Sequence, residues 1–148
     1  MISRIIVSLV ILINTFGALA YDFSGAYKCD KAFDSQDGNF TSTITLRPNN
    51  DYKKANSSYS IYNFEMKCPG YNYTWEGTAI ANGNNLAIYF YSVGEHREKS
   101  DFGTASATII THEDKKGKIT TSLHEFYYET AYKGKPAFGF QDCKKLLK

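Results

Sequence analysis

Tyr73-Thr74-Trp75-Glu76-Gly77-Thr78-Ala79-Ile80-Ala81-Asn82-Gly83-Asn84-Asn85-Leu86-Ala87-Ile88-Tyr89-Phe90-Tyr91 reads as two strands joined by a tight turn. Asn-Gly between two apolar runs is a strong short-range hairpin signal, because both residues tolerate positive φ. The first strand runs from Tyr71 to Ala81, with Tyr71, Tyr73 and Trp75 on one face. The second runs from Asn85 to Ser92. It carries Leu86, Ile88 and Phe90 on one side and Tyr89 and Tyr91 on the other. A side-chain period of two is the mark of a half-buried strand.

Working outward, the same pattern recurs. Upstream lie Tyr59 to Cys68, with Tyr62, Phe64 and Met66 sharing a face, and Phe40 to Arg47, with Phe40, Ile44 and Leu46 alternating with threonines. Before them comes Phe23 to Cys29. Downstream are Phe102 to Thr111, Lys118 to Glu129, and Ala137 to Cys143. In the second of these, Ile119, Leu123 and Tyr127 alternate with Thr120, His124 and Tyr128; in the third, Phe138 and Phe140 share a face. Turn residues separate the runs, among them Asp37-Gly38, Pro48-Asn49-Asn50-Asp51, Pro69-Gly70 and Lys116-Gly117. In residues 21–148 no run of ten or more residues carries helical periodicity; a single helical turn is open around Lys144 to Lys148.

Eight short strands with hairpin-length links describe a meander. Such a meander closes into an all-β, eight-stranded antiparallel up-and-down barrel, which leaves no open edge. Eight strands leave a lumen wide enough for side chains or one small ligand. The alternative is a β-sandwich, which would need longer crossovers.

The N-terminus reads differently. Met1-Ile2-Ser3-Arg4 is a positive start, Ile5 to Ile13 is an apolar run, and Ala18-Leu19-Ala20 is a small-x-small cleavage site. The run is short of the roughly 20 residues a membrane helix needs. Residues 1–20 are therefore expected to be a cleaved signal peptide, no membrane span is expected, and the protein is expected to be secreted or periplasmic. The remaining domain, 21–148, has 148 − 20 = 128 residues. Losing Arg4 takes the net charge from +2 to +1. The lysines are scattered, so nucleic acid is not an expected partner. All 12 Tyr fall in the mature domain, together with the single Trp75, a composition that suits pleated, half-buried surfaces.

Phe23-Ser24-Gly25-Ala26-Tyr27 resembles the Gly-x-Trp start of the first strand in calycin barrels, the avidin and lipocalin group, with Tyr27 where those families prefer Trp. Tyr73 to Ile80, followed by Asn-Gly and Leu86-Ala87-Ile88, is similar to the mid-barrel hairpins of small exported calycin-like bacterial proteins. The resemblance implies a barrel. It carries no ligand with it, and the biotin-contacting pattern of avidins is not recognisable.

Motifs for catalysis are missing: there is no Gly-x-Ser-x-Gly, no His-Glu-x-x-His and no Gly-rich phosphate loop. No catalytic residue, cofactor or metal is assigned, and the protein is not expected to be an enzyme. His96 and His112 read as solvated. His124 lies beside Glu125, but strand neighbours face opposite ways. Glu65 and Glu76 could meet across the sheet, most simply as outward charges balanced by Lys67. Asn39, Asn56 and Asn72 open glycosylation sequons, read as chance in an Asn-rich chain.

Three cysteines allow one disulfide and leave one over. Cys29 is expected to pair with Cys143, because the first and last strands of a closed barrel are neighbours. The difficulty is that these two residues end antiparallel strands, and so belong at opposite rims. Cys68 with Cys143, which resembles the lipocalin habit of tying a mid-barrel strand to the C-terminal segment, and Cys29 with Cys68 are the rivals.

Aromatic density is the functional signal. Tyr71, Tyr73 and Trp75 are the candidate ligand-binding residues, on the strand beside the tightest hairpin. Rings with polar tips suit a small amphiphilic ligand. The expected function is small-molecule carriage or scavenging. The alternative is a secreted interaction or inhibitor protein that uses a solid barrel as scaffold for a protein partner.

Overall fold

The computed structural model describes residues 22–52, 59–94, 101–132 and 134–147. The expected signal peptide, His96 and the Asn56 sequon lie outside the described residues. Eight strands form one closed antiparallel barrel in sequence order: β1 Gly25–Asp34, β2 Gly38–Pro48, β3 Tyr59–Lys67, β4 Tyr73–Asn82, β5 Asn85–Gly94, β6 Phe102–Glu113, β7 Ile119–Tyr132 and β8 Lys135–Lys145. The up-and-down barrel is thus correct and the sandwich is not. A 3-10 turn, Asn50–Tyr52, is the single helical element among the described residues. Lys144 and Lys145 continue β8 as strand, where a helical turn was the open alternative, because both pair with β1.

The period of two sorts the side chains as the sequence requires. Ile44, Leu46, Tyr62, Phe64, Met66, Leu86, Ile88 and Phe90 are all buried in one lumen cluster. The hairpin differs in detail. Its two-residue loop is Gly83-Asn84, with Asn82 paired to Asn85 and Gly83 at φ +56°. The residue that takes up the left-handed region is still the glycine.

One end of the barrel is plugged from within the chain. Phe23 is buried; its backbone N–H donates to the Tyr62 hydroxyl at 3.2 Å, and its carbonyl accepts from the Tyr27 hydroxyl at 2.8 Å. Above this plug the lumen holds a polar layer. Gln141 donates to Glu125 at 2.8 Å, and Ser42 donates to Gln141. All three are buried.

The Cys29–Cys143 disulfide is formed, and Cys68 is free. The rim difficulty disappears because β1 is longer than its apolar pattern suggests. It runs five residues past Cys29 to Asp34, through a bulge between Cys29 and Ala32, so Cys29 sits inside the strand opposite Cys143. The Leu146 N–H donates to the Ala26 carbonyl, which by alternation makes Cys29 and Cys143 a non-hydrogen-bonded pair. Opposed Cα atoms are closest at such pairs, which brings the two Sγ atoms within bonding reach.

Candidate functional site

Among the described residues, the other end of the barrel carries no such plug. The ends of β1, β3, β5 and β7 meet there. A narrow pocket lies at this mouth among Asp34, Asp37, Phe40, Met66, Cys68, Tyr71, Trp75, Tyr127 and Glu129. Its cavity volume is about 20 Å³, room for a group the size of a water or an ammonium head, and it widens only toward solvent. Of the three residues expected to bind ligand, Tyr71 and Trp75 line it. Tyr73 stands beside them, its ring edge-on to Trp75 at 4.9 Å and to Tyr71 at 5.3 Å. Two corrections follow. Tyr71 precedes β4, which begins at Tyr73. The pocket is at the opposite end of β4 from the Asn82-Gly83 hairpin, near the Pro69-Gly70 turn, because Trp75 falls close to the start of the strand and the hairpin at its finish.

A third of the wall is acidic, which the aromatic reading missed. Asp34 ends β1 and is buried. Its Oδ1 accepts the backbone N–H groups of Gln36 and Asp37 at 2.7 and 3.2 Å, and its Oδ2 accepts the Tyr127 hydroxyl at 2.9 Å. The turn therefore holds Asp34, and Asp34 holds Tyr127. Room for the Tyr127 ring comes from Gly139 on β8, where a Cβ would collide with the Phe33 carbonyl and the ring end. Asp37 accepts the Tyr71 hydroxyl at 2.9 Å.

Glu129 is of another kind. It is only 3% exposed, and the donor beside its carboxyl is the Trp75 indole N–H. Burial pushes its pKa up to about 8, and the charges of Asp101 and Asp34 push the same way, against a smaller pull from the Trp75 indole beside it. That indole N–H is buried and closes no hydrogen bond. Deeper in the lumen, burial raises Glu125 to about 7, opposed by its hydrogen bond from Gln141. Burial and the two glutamates push the Cys68 thiol up to about 12, which keeps it protonated and a poor nucleophile at neutral pH.

No known protein family, no curated protein and no solved structure matches the chain.

The remaining candidates lie on the outer surface. His124 pairs with Asp142 at 2.7 Å, away from the mouth. His112 is exposed. Glu65 and Glu76 are register partners. Burial raises the Glu65 pKa, but hydrogen bonds from Lys67 and Arg47 outweigh it and hold the carboxyl below its usual range. Lys67 and Arg47 each lie 3.2 Å from it. Among the described residues, no helix is long and apolar enough to cross a membrane.

A sequence signal for Glu125 and Glu129 does exist. Leu123, Glu125, Tyr127 and Glu129 share one face of β7, and Leu123 and Tyr127 are core residues. Two acids in register with a core stripe are two buried acids.

Proposed function

We propose that this protein is an exported, calycin-like barrel that binds one small molecule at its open mouth and acts by binding, not by catalysis. The observation that carries this reading is asymmetry. Among the described residues, one end of the lumen is stoppered by Phe23, while the other has no plug and carries an aromatic-walled pocket that reaches solvent. The high thiol pKa of Cys68 supports the non-enzymatic part, since the one free cysteine in the wall is not activated. The disulfide accords with an oxidising compartment.

Trp75 is the single tryptophan and lines the pocket, so its emission reports occupancy. Native mass spectrometry of the protein from its source is expected to show a bound molecule of low mass, and removing that molecule is expected to shift Trp75 emission. A protein that stays unliganded, with emission unchanged across a broad ligand panel, would refute this reading.

A second reading has its own observation. On the outer face, Phe126 is 69% and Phe138 62% exposed, and Phe33, Phe140 and Tyr128 are exposed with them. Phe126 and Phe140 are register partners across β7 and β8, as are Phe33 and Phe140 across β1 and β8. An exposed aromatic patch of this kind marks an interaction surface. It favours a protein partner for the barrel wall, and it does not compete with the mouth pocket for residues.

A further inference from the structure

We infer that the mouth pocket selects a small organic cation: an ammonium group carrying an apolar or aromatic arm. This rests on the proposal that the mouth is a ligand site at all, and the experiment below separates the two.

The chemistry on offer in the pocket is mostly acidic and aromatic, with one unused donor, the Trp75 indole N–H. Its tyrosine hydroxyls are already donated, from Tyr127 to Asp34 and from Tyr71 to Asp37. What remains is carboxylate and π-face, with the Trp75 indole N–H beside the Glu129 carboxylate. Glu129 is the decisive residue. It is almost wholly buried, lines the pocket, and has the Trp75 indole N–H as the donor beside its carboxyl. A buried carboxylate without a full set of donors is costly, and a ligand that supplies N–H or N–CH₃ groups relieves that cost. No lysine or arginine lines the pocket among the described residues.

The rings agree with the acids. Trp75 and Tyr71 meet at 6.2 Å in an edge arrangement, and Phe40 also lines the pocket. A cation is drawn to the face of an indole or phenol ring and gains most where water is excluded. The pocket is narrow, so the ammonium head enters it and the apolar arm rests against the rings of the mouth. An anion at this position would meet Glu129, Asp34 and Asp37 together. A neutral isostere would fill the space and leave Glu129 as it was.

Uptake is coupled to protons. Seen from Glu129, the charged and titratable neighbours are Asp34 on β1, Asp37 in the β1–β2 turn and Asp101 before β6. Cys68 after β3, and Glu125 and Tyr127 on β7, join them. Among the described residues, these named neighbours are all acids. Bringing a cation among them favours ionised Glu129, so binding near neutral pH expels a proton.

The test uses three isosteric probes, 2-phenylethylamine, 2-phenylethanol and phenylacetate. Each is titrated against Trp75 fluorescence and by calorimetry in two buffers of different ionisation enthalpy. The amine is expected to bind saturably, about tenfold or more tighter than the alcohol, with proton release to the buffer, and phenylacetate is expected not to bind. Glu129→Gln keeps the shape and removes the charge. It is expected to weaken the amine about tenfold, abolish the proton release and leave the alcohol unchanged. If Glu129→Gln fails to fold, judged by its β circular dichroism, Asp37→Asn in the exposed turn takes its place, with amine affinity as its readout. Alcohol or phenylacetate binding as tightly as the amine would overturn the cation and leave the ligand site standing. No response to any of the three would overturn both.

Discussion

At the residue scale, the barrel carries acids where an ordinary core carries leucine. Glu125 is buried, bonded to Gln141, and titrates at about 7 instead of 4.5; Glu129 titrates at about 8. Between the unfolded value of 4.5 and about 8 the folded state therefore holds protons that the unfolded chain has released. The stability these two groups contribute is fully present below 4.5. It is lost as the pH rises, through about 7 for Glu125 and about 8 for Glu129. Glu125→Gln mimics the protonated form and can still accept from Gln141. It is expected to match the parent near pH 4.5 and to exceed it at pH 9, by on the order of 3 kcal/mol. Denaturant midpoints at the two pH values measure this. A parent whose stability does not fall across that range would show Glu125 to be relieved by other means.

At the element scale, the closure of the barrel rests on β1 meeting β8. Pairing runs from Tyr27 with Lys145 to Asp34 with Gly139, and the disulfide lies within it. The bond spans 114 residues of chain. Loop-closure entropy for such a span stabilises the native state by about 4–5 kcal/mol in the simplest treatment. Peptide mapping without reductant is expected to recover Cys29 linked to Cys143, and Cys68 as a thiol. The double substitution Cys29→Ala, Cys143→Ala is expected to remove most of that stabilisation while keeping the β circular dichroism spectrum, because the backbone ladder remains. A loss below about 1 kcal/mol would mean that the ladder alone holds the seam.

At the scale of the whole molecule, the barrel has three distinct surfaces: a plugged end, an open acidic mouth and an aromatic flank. The flank follows from register. Cys143 must face the lumen to reach Cys29, so Gln141, Gly139 and Ala137 face it too, and Phe138 and Phe140 are left outside. The double substitution Phe126→Lys, Phe138→Lys is expected to reduce retention on a hydrophobic column without lowering the thermal midpoint or changing the Trp75 response to ligand. A large drop in stability would instead assign these rings a role in the fold.

The order of strands, their number and the core stripe of β2, β3 and β5 were legible in the sequence, because a period of two and turn residues are local properties. The aromatic wall of the pocket was legible in part: Tyr71 and Trp75 line it, but Tyr71 precedes β4, so strand alternation is not what places it there. Tertiary structure alone decided which rim is open. That depends on where Phe23, lying outside the strands, finds hydrogen-bond partners on Tyr27 and Tyr62. It also decided the acidity of the site. The inward register of Glu125 and Glu129 was itself readable from Leu123 and Tyr127 on the same face of β7. What no single strand could show is that Asp34 and Asp37, far from Glu129 in the chain, reach the same pocket. Closure of the barrel brings β1 and its turn to the mouth beside β7, and the three carboxyl groups then share one wall.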